Sequence, residues 1–555
     1  MKPNSVKDLT KERPSSTLSV NPKDSLLILL VVWVIFALIS NYSFFASNFD
    51  LVRGNMLDPR FIIAILEHWC QVFIGNQRPL EPIYFFAASE NPLSFSDTFL
   101  VNSLFYSVFR IFTADEYLAF QGAQFLFLLF GYLTFFYLVR KIFKCSYFAS
   151  ISGSLIFAFS SPMIRQMPAF QNSSTFFLPL LAILFAKFIT LATQKDSKQY
   201  LYLGFFWILL GAIAFSTFYT LWFLVVYCTF FVPIFLILYR NRLAFLKLML
   251  KPIAFSLLAC PLCFAPFLYL YFPMMGAKRN YEEAFGHLFM LADLPNGNTP
   301  IWQYLLSISR PTDLNTYPPT IGFLTAILLS FVLYLLLRRK SHFFREWKDS
   351  LVLALFFGVF ACLAILVKFE AGSLWWFIYN YMPGAMAIRV ACRLFFTFSF
   401  AASLSLVIVA DFLIREKGLE LYRYLLIAFM ALAVVDQLGV PVGTISRNEE
   451  FSRLGNIQRP PFKTDIFVLA DSRVTVAEFD RYHIDAMLLA NRFNIPTFFG
   501  YSGWLPTKYP VRTLPNLSSE FYETLDVWAK QQNVNGTVAV YNMETSHWEP
   551  HKVGN

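Results

Sequence analysis

Asp58, inside the string Gly54-Asn55-Met56-Leu57-Asp58-Pro59-Arg60, and Asp97, closing Phe95-Ser96-Asp97, are carboxylates placed to abstract a proton or to hold a cation. Much later, Arg389 and Arg393 stand four apart, a spacing that puts two guanidinium forks on one face of a helix. Planar forks suit a phosphate. A carboxylate base opposite a cationic clamp is what in-line displacement of a phosphate leaving group requires. Arg60 and the pair Lys278-Arg279 are secondary phosphate candidates.

Each of these residues also has a plainer role. Asp58 before Pro59 fits a helix N-cap, with its charge against the positive end of the dipole, and capping is compatible with taking a proton or holding a divalent metal ion. Asp97 stands before the amphipathic run Thr98 to Ile111 and fits a cap equally well, or an orienting second carboxylate. Arg389 and Arg393 fit guanidiniums reaching to lipid headgroups. Arg60 and Lys278-Arg279 fit exposed loop cations.

The elements around Asp58 follow from periodicity. Arg60, Ala64, Glu67, His68, Gln71 and Gly75 recur at helical spacing through an apolar stretch, which predicts an interfacial helix over residues 60–75. Arg60, Glu67, His68 and Gln71 form its expected wet face, with Glu67 and His68 more typical of structural partners than of catalysts. In Tyr501-Ser502-Gly503-Trp504 a turn carries an aromatic platform. It suits a sugar face or a seat at the membrane headgroups.

Eleven apolar stretches position all of this: 25–44, 117–139, 146–163, 174–193, 199–217, 219–239, 252–272, 319–337, 350–368, 394–414 and 424–440. A helix needs about 20 such residues to cross the hydrocarbon, because only it satisfies its own backbone there. Lys and Arg fall on alternate sides of the stretches, for example Arg140, Lys141 and Lys144, then Lys195 and Lys198, then Arg240, Arg242, Lys247 and Lys251. The positive-inside rule then puts the N-terminus in the cytoplasm and the tail outside. A composition of 57% hydrophobic residues with 66 Phe excludes an ordinary soluble enzyme. The net charge of +10 is accounted for by topology, with no call for nucleic acid. The first stretch is too long, and lacks the small-residue cleavage site, for a removable signal, and is expected to stay as an anchor. The 7 Cys lie mostly in or beside apolar stretches, and Cys260 and Cys263 are read as packing despite their CxxC spacing.

The expected fold is an α-helical polytopic membrane protein with about 11 transmembrane helices, N-in and C-out. Residues 1–24 form a cytoplasmic tail, and 25–440 a membrane domain with outer loops 45–116, 273–318 and 369–393 and interfacial helices in the first. Residues 441–555 form a small α/β module, from β-rich runs at Ile466–Leu469, Val474–Val476 and Gly536–Tyr541 and amphipathic segments at His483–Phe493 and Ser519–Gln531.

These strings, in order, resemble the bacterial GT-C-type polytopic glycosyltransferases that use polyprenyl-phosphate-linked sugars. Carrying the resemblance are Leu57-Asp58-Pro59-Arg60, Glu67-His68, Phe85-Phe86, Phe95-Ser96-Asp97, Ala119-Phe120-Gln121 and Phe157-Ala158-Phe159-Ser160. Pro383-Gly384-Ala385-Met386-Ala387-Ile388-Arg389 with Arg393 is similar to the family's PGF-x-x-x-R-x-x-x-R segment. Tyr482 to Met487 and Gly500 to Pro506 are similar to its outer tail. Two departures stand out. Many relatives have Gly-Asp where this chain has Gly54-Asn55, and often a His before the Gln where it has Phe170-Gln171.

The resemblance implies transfer of a sugar from a polyprenyl-phosphate donor to a glycolipid or polymer acceptor, on the outer face of the inner membrane. In that scheme Asp58 is the base or the ligand of a divalent metal ion, and Asp97 the second carboxylate. Arg389 and Arg393, with Arg60, Lys278 and Arg279 in support, take the donor phosphate. Glu67, His68, Gln171, Tyr501 and Trp504 meet the acceptor or organise the loop. Asp58 and both arginines are then expected to line one outward-facing cavity. A transporter or flippase for a lipid-linked saccharide is the competing reading, since it too handles such lipids, but its polar groups belong at mid-membrane. A non-catalytic member of the same fold is the third.

The topology has a direct test. A reporter fused after Asn555 should behave as extracytoplasmic; cytoplasmic activity would mean that the number of crossings is even.

Overall fold

The computed structural model describes residues 22–87, 89–290, 330, 347–416, 420–438, 442–471, 478–506, 509 and 519–554. The expected span 319–337 apart from residue 330, the expected second outer loop beyond residue 290 and the run Val474–Val476 lie outside the described residues. Among those described, seven helices are long and apolar enough to cross a membrane. They are Glu116–Ile142, Tyr147–Arg165, Phe170–Gln194, Gln199–Ser216, Phe218–Leu238, Arg242–Met274 and Ala391–Arg415. Shorter apolar helices, Leu26–Ser40 and Ser350–Leu366, and the helix Glu420–Asp436 occupy three more of the expected positions.

Local chemistry sets the ends. Asp115 caps one helix by accepting the N–H groups of Tyr117 and Leu118 at 3.0 Å each. The stretch expected as one span over 146–163 is interrupted instead. Tyr147–Ala158 is α-helix, Phe159 and Ser160 leave it, and a short helix Ser161–Arg165 restarts around Pro162. Proline lacks the N–H a continuous helix would need and is at home in the first turn of a new one. The next span likewise opens in a tighter 3₁₀ stretch, Phe170–Phe177, before Leu178–Gln194.

The loop 45–116 carries two packed helices, Asp58–Phe73 and Leu100–Arg110. The tail forms a three-stranded sheet in which Gly536–Asn542 lies between Ile466–Ala470, parallel to it, and His547–Val553, antiparallel. The helix Phe479–Phe493 connects this sheet to the loop 45–116 by packing on Asp58–Phe73. Two seams reinforce that junction. Leu51–Arg53 pairs antiparallel with Thr444–Ser446, and the tail backbone at Thr497 and Phe499 bonds to Ile83, Phe86 and Ala87 at 3.0 Å each. None of the seven cysteines, Cys260 and Cys263 included, forms a disulfide among the described residues.

The helix Gln199–Ser216 meets Arg242–Tyr271 at a glycine. A Cβ on Gly211 would fall 2.3 Å from the Cys263 carbonyl oxygen, whereas one on Gly204 would meet nothing within 4 Å. Gly211→Leu should therefore destabilise by about 1–3 kcal/mol through overpacking, read as a lowered Tm in detergent, with Gly204→Leu close to the parent. Equal Tm values for the two variants would contradict that close approach.

Candidate functional site

The turn before Asp58 needs its glycine. Gly54 has φ +136°, and a Cβ there would lie 2.1 Å from Cγ of Pro59. The Asn55 side chain accepts the N–H groups of Leu57 at 3.0 Å and Asp58 at 3.2 Å, so Asn55 does the capping expected of Asp58. The Asp58 carboxylate turns to the Tyr501 hydroxyl, which donates to it. Burial pushes the Tyr501 phenol well up, the charges of Asp58 and Asp480 push further, and Arg389 opposes them. Asp58 from the first loop, Asp480 and Tyr501 from the tail, and Arg389 from the third loop thus come within electrostatic reach of one hydroxyl.

Arg389 and Arg393 do not share a helical face. Gly384 at φ +80° opens a 3₁₀ turn, Ala385–Ala387; Ile388 is extended, and a second 3₁₀ turn, Ala391–Arg393, leads into Leu394–Arg415. The Trp222 indole N–H donates to the Pro383 carbonyl at 2.9 Å and fixes the first turn. As a result Arg389 is exposed while Arg393 is buried, its guanidinium 5.2 Å from the centre of the Tyr219 ring.

Asp97 belongs to the Arg393 side. It caps a helix remote in sequence, not its own, accepting the N–H of Phe218 at 3.1 Å, while Phe99 heads the helix Leu100–Arg110. Burial pushes the Asp97 carboxyl up to about 6, against the pull of the Phe218 N–H, Arg393 and Thr217. Arg393 also lines a small cleft with Arg165, Gln166, Pro162 and Phe396. Asp58 and Arg389 are not among its lining residues; Asp58 with Arg389 forms one station, and Arg393 with Arg165 another. One strip of tail joins them: next to Tyr501, the Ser502 hydroxyl donates to the carbonyl of Phe95, two residues before Asp97.

The polar stripe of the Asp58–Phe73 helix faces protein, not water. Arg60 is fully buried, its Nε 2.7 Å from Glu450 and its terminal nitrogens bonded to Asp485 and, at 3.0 Å, to the Met56 carbonyl. Arg453 completes a quartet, 2.8 Å from each of Glu450 and Asp485. Burial alone would push the Asp485 carboxyl up; the two guanidiniums more than offset that and hold it below its usual value. The assignment of Arg60 to a phosphate gives way to this internal role, because its guanidinium is occupied and out of reach. Glu67 accepts from Arg110 at 2.8 Å and from Tyr106 at 2.8 Å, and His68 meets Gln77 at 2.6 Å, so both hold the loop together. Burial lowers the His68 pKa. Gln71 is taken up by Glu67 at 2.7 Å.

Arg279 ion-pairs with Glu283 at 2.7 Å, donates to the Gly503 carbonyl at 2.9 Å and lies 4.4 Å from the centre of the Trp504 ring. It fastens the tail to the second loop beside the exposed Lys278. The buried Oε1 of Gln171 has no hydrogen-bond partner among the described residues. No group of three or more His, Cys, Asp or Glu that could hold a metal occurs among the described residues, and Asp58 with Asp480 falls short of such a set. The sequence reading missed Asp480, Arg165, Glu450 and Arg453. Only the Glu450/Arg453 spacing of three carried a local signal.

No known protein family and no curated protein matches the chain by sequence. Solved structures do match by shape. The apo oligosaccharyltransferase of Archaeoglobus fulgidus superposes with a TM-score of 0.51 at 12% identity, covering 94% of this chain and 70% of that one. The same enzyme in complex with Zn and sulfate gives 0.50 at 11% identity, covering 92% and 67%. The chain has the GT-C-type fold. At such identity the likeness concerns architecture, and the chemistry rests on the residues above.

Breaking the quartet should be costly. Arg60→Met strands two buried carboxylates on one arginine, an expected loss of about 3–5 kcal/mol seen as a lowered Tm. Arg78→Met, which removes the exposed Arg78–Glu81 pair at 2.9 Å, should change stability by less than about 1 kcal/mol. Equal effects would show the quartet to be solvated.

Proposed function

We propose that this chain is a membrane glycosyltransferase that moves a sugar from a polyprenyl-phosphate donor to a glycolipid or polymer acceptor. The work is done on the outer face of the inner membrane, with the N-terminus inside and residues 441–555 outside. The observation that carries this is the meeting of Asp58, Tyr501 and Arg389, from three distant parts of a GT-C-type fold, at the seam between membrane region and tail.

In the reaction the acceptor hydroxyl oxygen bonds to the anomeric carbon as the bond from that carbon to the phosphate oxygen breaks, inverting the carbon. Asp58 takes the hydroxyl proton, and the lipid phosphate leaves with the electron pair. Tyr501 orients the Asp58 carboxylate, the guanidinium of Arg393 offsets the charge gathering on the phosphate, and the exposed Arg389 supplies positive charge beside Asp58, where the acceptor reacts. Trp504, held flat by Arg279, offers an apolar face to a sugar ring. Asp97 is assigned to position Arg393. Among the described residues no group of three carboxylates, histidines or cysteines gathers to hold a metal ion, and no step here is routed through one.

Few features favour transport, because the charges that converge sit in outer loops and at helix ends. Asp58→Asn keeps the size of the side chain and removes its basicity. In membranes supplied with polyprenyl-phosphate sugar it should lower the rate of transfer by about 10²-fold or more, with the protein level unchanged. Transfer at the parent rate would remove Asp58 from the chemistry.

A further inference from the structure

Two helices touch deep in the bundle and carry a cleft at one end. A Cβ on Gly153 would fall 2.4 Å from Val407, which marks the crossing of Tyr147–Ala158 and Leu394–Arg415. Beyond that crossing, the break at Phe159–Ser160 turns one chain into the short helix ending at Arg165, and the 3₁₀ turn Ala391–Arg393 brings in the other. The cleft between them has Arg165, Gln166 and Arg393 as its polar lining and Pro162, Phe395 and Phe396 as its apolar lining. Arg393 is buried against the Tyr219 ring, with Asp97 as the carboxylate that acts on it.

We propose that this cleft is the seat of the lipid-borne phosphate, and that its second guanidinium is Arg165, not Arg389. The proposal rests on the donor class named above and assigns its phosphate to a place. Two guanidiniums approaching from different helices can each give a fork to one phosphate, while the Gln166 amide donates to a remaining oxygen. The two phenylalanines and the proline give the first carbons of a prenyl chain an apolar wall. An ion without a chain would have no use for that wall.

Arg389 is then left to the other station. It is exposed and faces the Tyr501 hydroxyl with Asp58, where the sugar and the acceptor would meet. The three residues between Arg389 and Arg393, which do not continue an α-helix, are what allow the two to serve different ends of one donor.

The test is equilibrium binding to the purified full-length chain in detergent, with farnesyl phosphate, farnesol and inorganic phosphate as probes. It needs no turnover, so its outcome is separate from that of the transfer assay with Asp58→Asn. Farnesyl phosphate should bind more tightly than either of the others, and Arg165→Gln should weaken it about tenfold or more, as the loss of one charge-assisted pair implies. Arg165→Lys, which keeps the charge without the fork, should fall between. Arg389→Gln should change the affinity by less than twofold. Unaltered affinity in Arg165→Gln, or a larger loss in Arg389→Gln, would overturn the assignment. Equal binding of inorganic phosphate would point to a free anion and reject the lipid. If Arg165→Gln does not fold, Arg165→Lys decides alone, parental affinity counting against the proposal.

Discussion

The buried quartet of Arg60, Arg453, Glu450 and Asp485 is the interaction on which the remaining geometry depends. Four charges withdrawn from water cost several kcal/mol each, and the attraction among them repays that only when the forks and carboxylates meet in good register. Such an arrangement contributes more to register than to net stability. Its members come from three places: the helix after the Asp58 turn, the start of the tail, and the helix Phe479–Phe493. Arg60 also holds the Met56 carbonyl, so the turn that presents Asp58 and the helix that presents Asp480 are fixed by the same guanidinium.

That constraint explains why the tail belongs to the site. Tyr501 follows Gly500, whose carbonyl lies 2.9 Å from Nδ1 of His483 on the same helix as Asp485. With the helix locked to Arg60, the Tyr501 hydroxyl is set against Asp58, and the adjacent Ser502 against Phe95. The separate Arg492–Glu116 pair and the Asn491 bond to the Ala64 carbonyl at 2.8 Å extend the same interface along both helices. On the Arg393 side, burial pushes the Asp97 carboxyl up to about 6, so it is protonated more readily than an ordinary aspartate. Its ionised form is sustained by Arg393 and by the helix end at Phe218.

Much of the membrane part is legible in the sequence because lipid makes only one demand, a helix with an apolar exterior, and that demand is written in consecutive residues. The amphipathic helix after Asp58 was legible for the same reason. What faces its polar stripe was not. Periodicity says that Arg60, Glu67 and His68 share a side; it is silent on whether water or protein lies there, and here the partners come from residues 77 to 110 and 450 to 485. The Arg389/Arg393 pair failed in another way. A spacing of four implies a shared face only if the intervening backbone is helical, and the turns after Pro383 and Gly384 withdraw that premise. Asp97 capping Phe218 shows the general difficulty, since a cap read locally from sequence can serve a helix far along the chain.

Gly54-Asn55 stands where many of the glycosyltransferases that this chain resembles have Gly-Asp. The role the structure gives position 55 is to accept two backbone N–H groups at the head of a helix, and an amide oxygen accepts as a carboxylate does. The turn is therefore kept, and what is lost is one negative charge beside Asp58. A motif with two adjacent carboxylates favours a bound cation. One with a single carboxylate, bonded to a phenol and facing an exposed arginine, favours proton abstraction with the arginine supplying the positive charge. Under the proposed reaction, the positive charge at this station is supplied by a guanidinium that the chain carries itself.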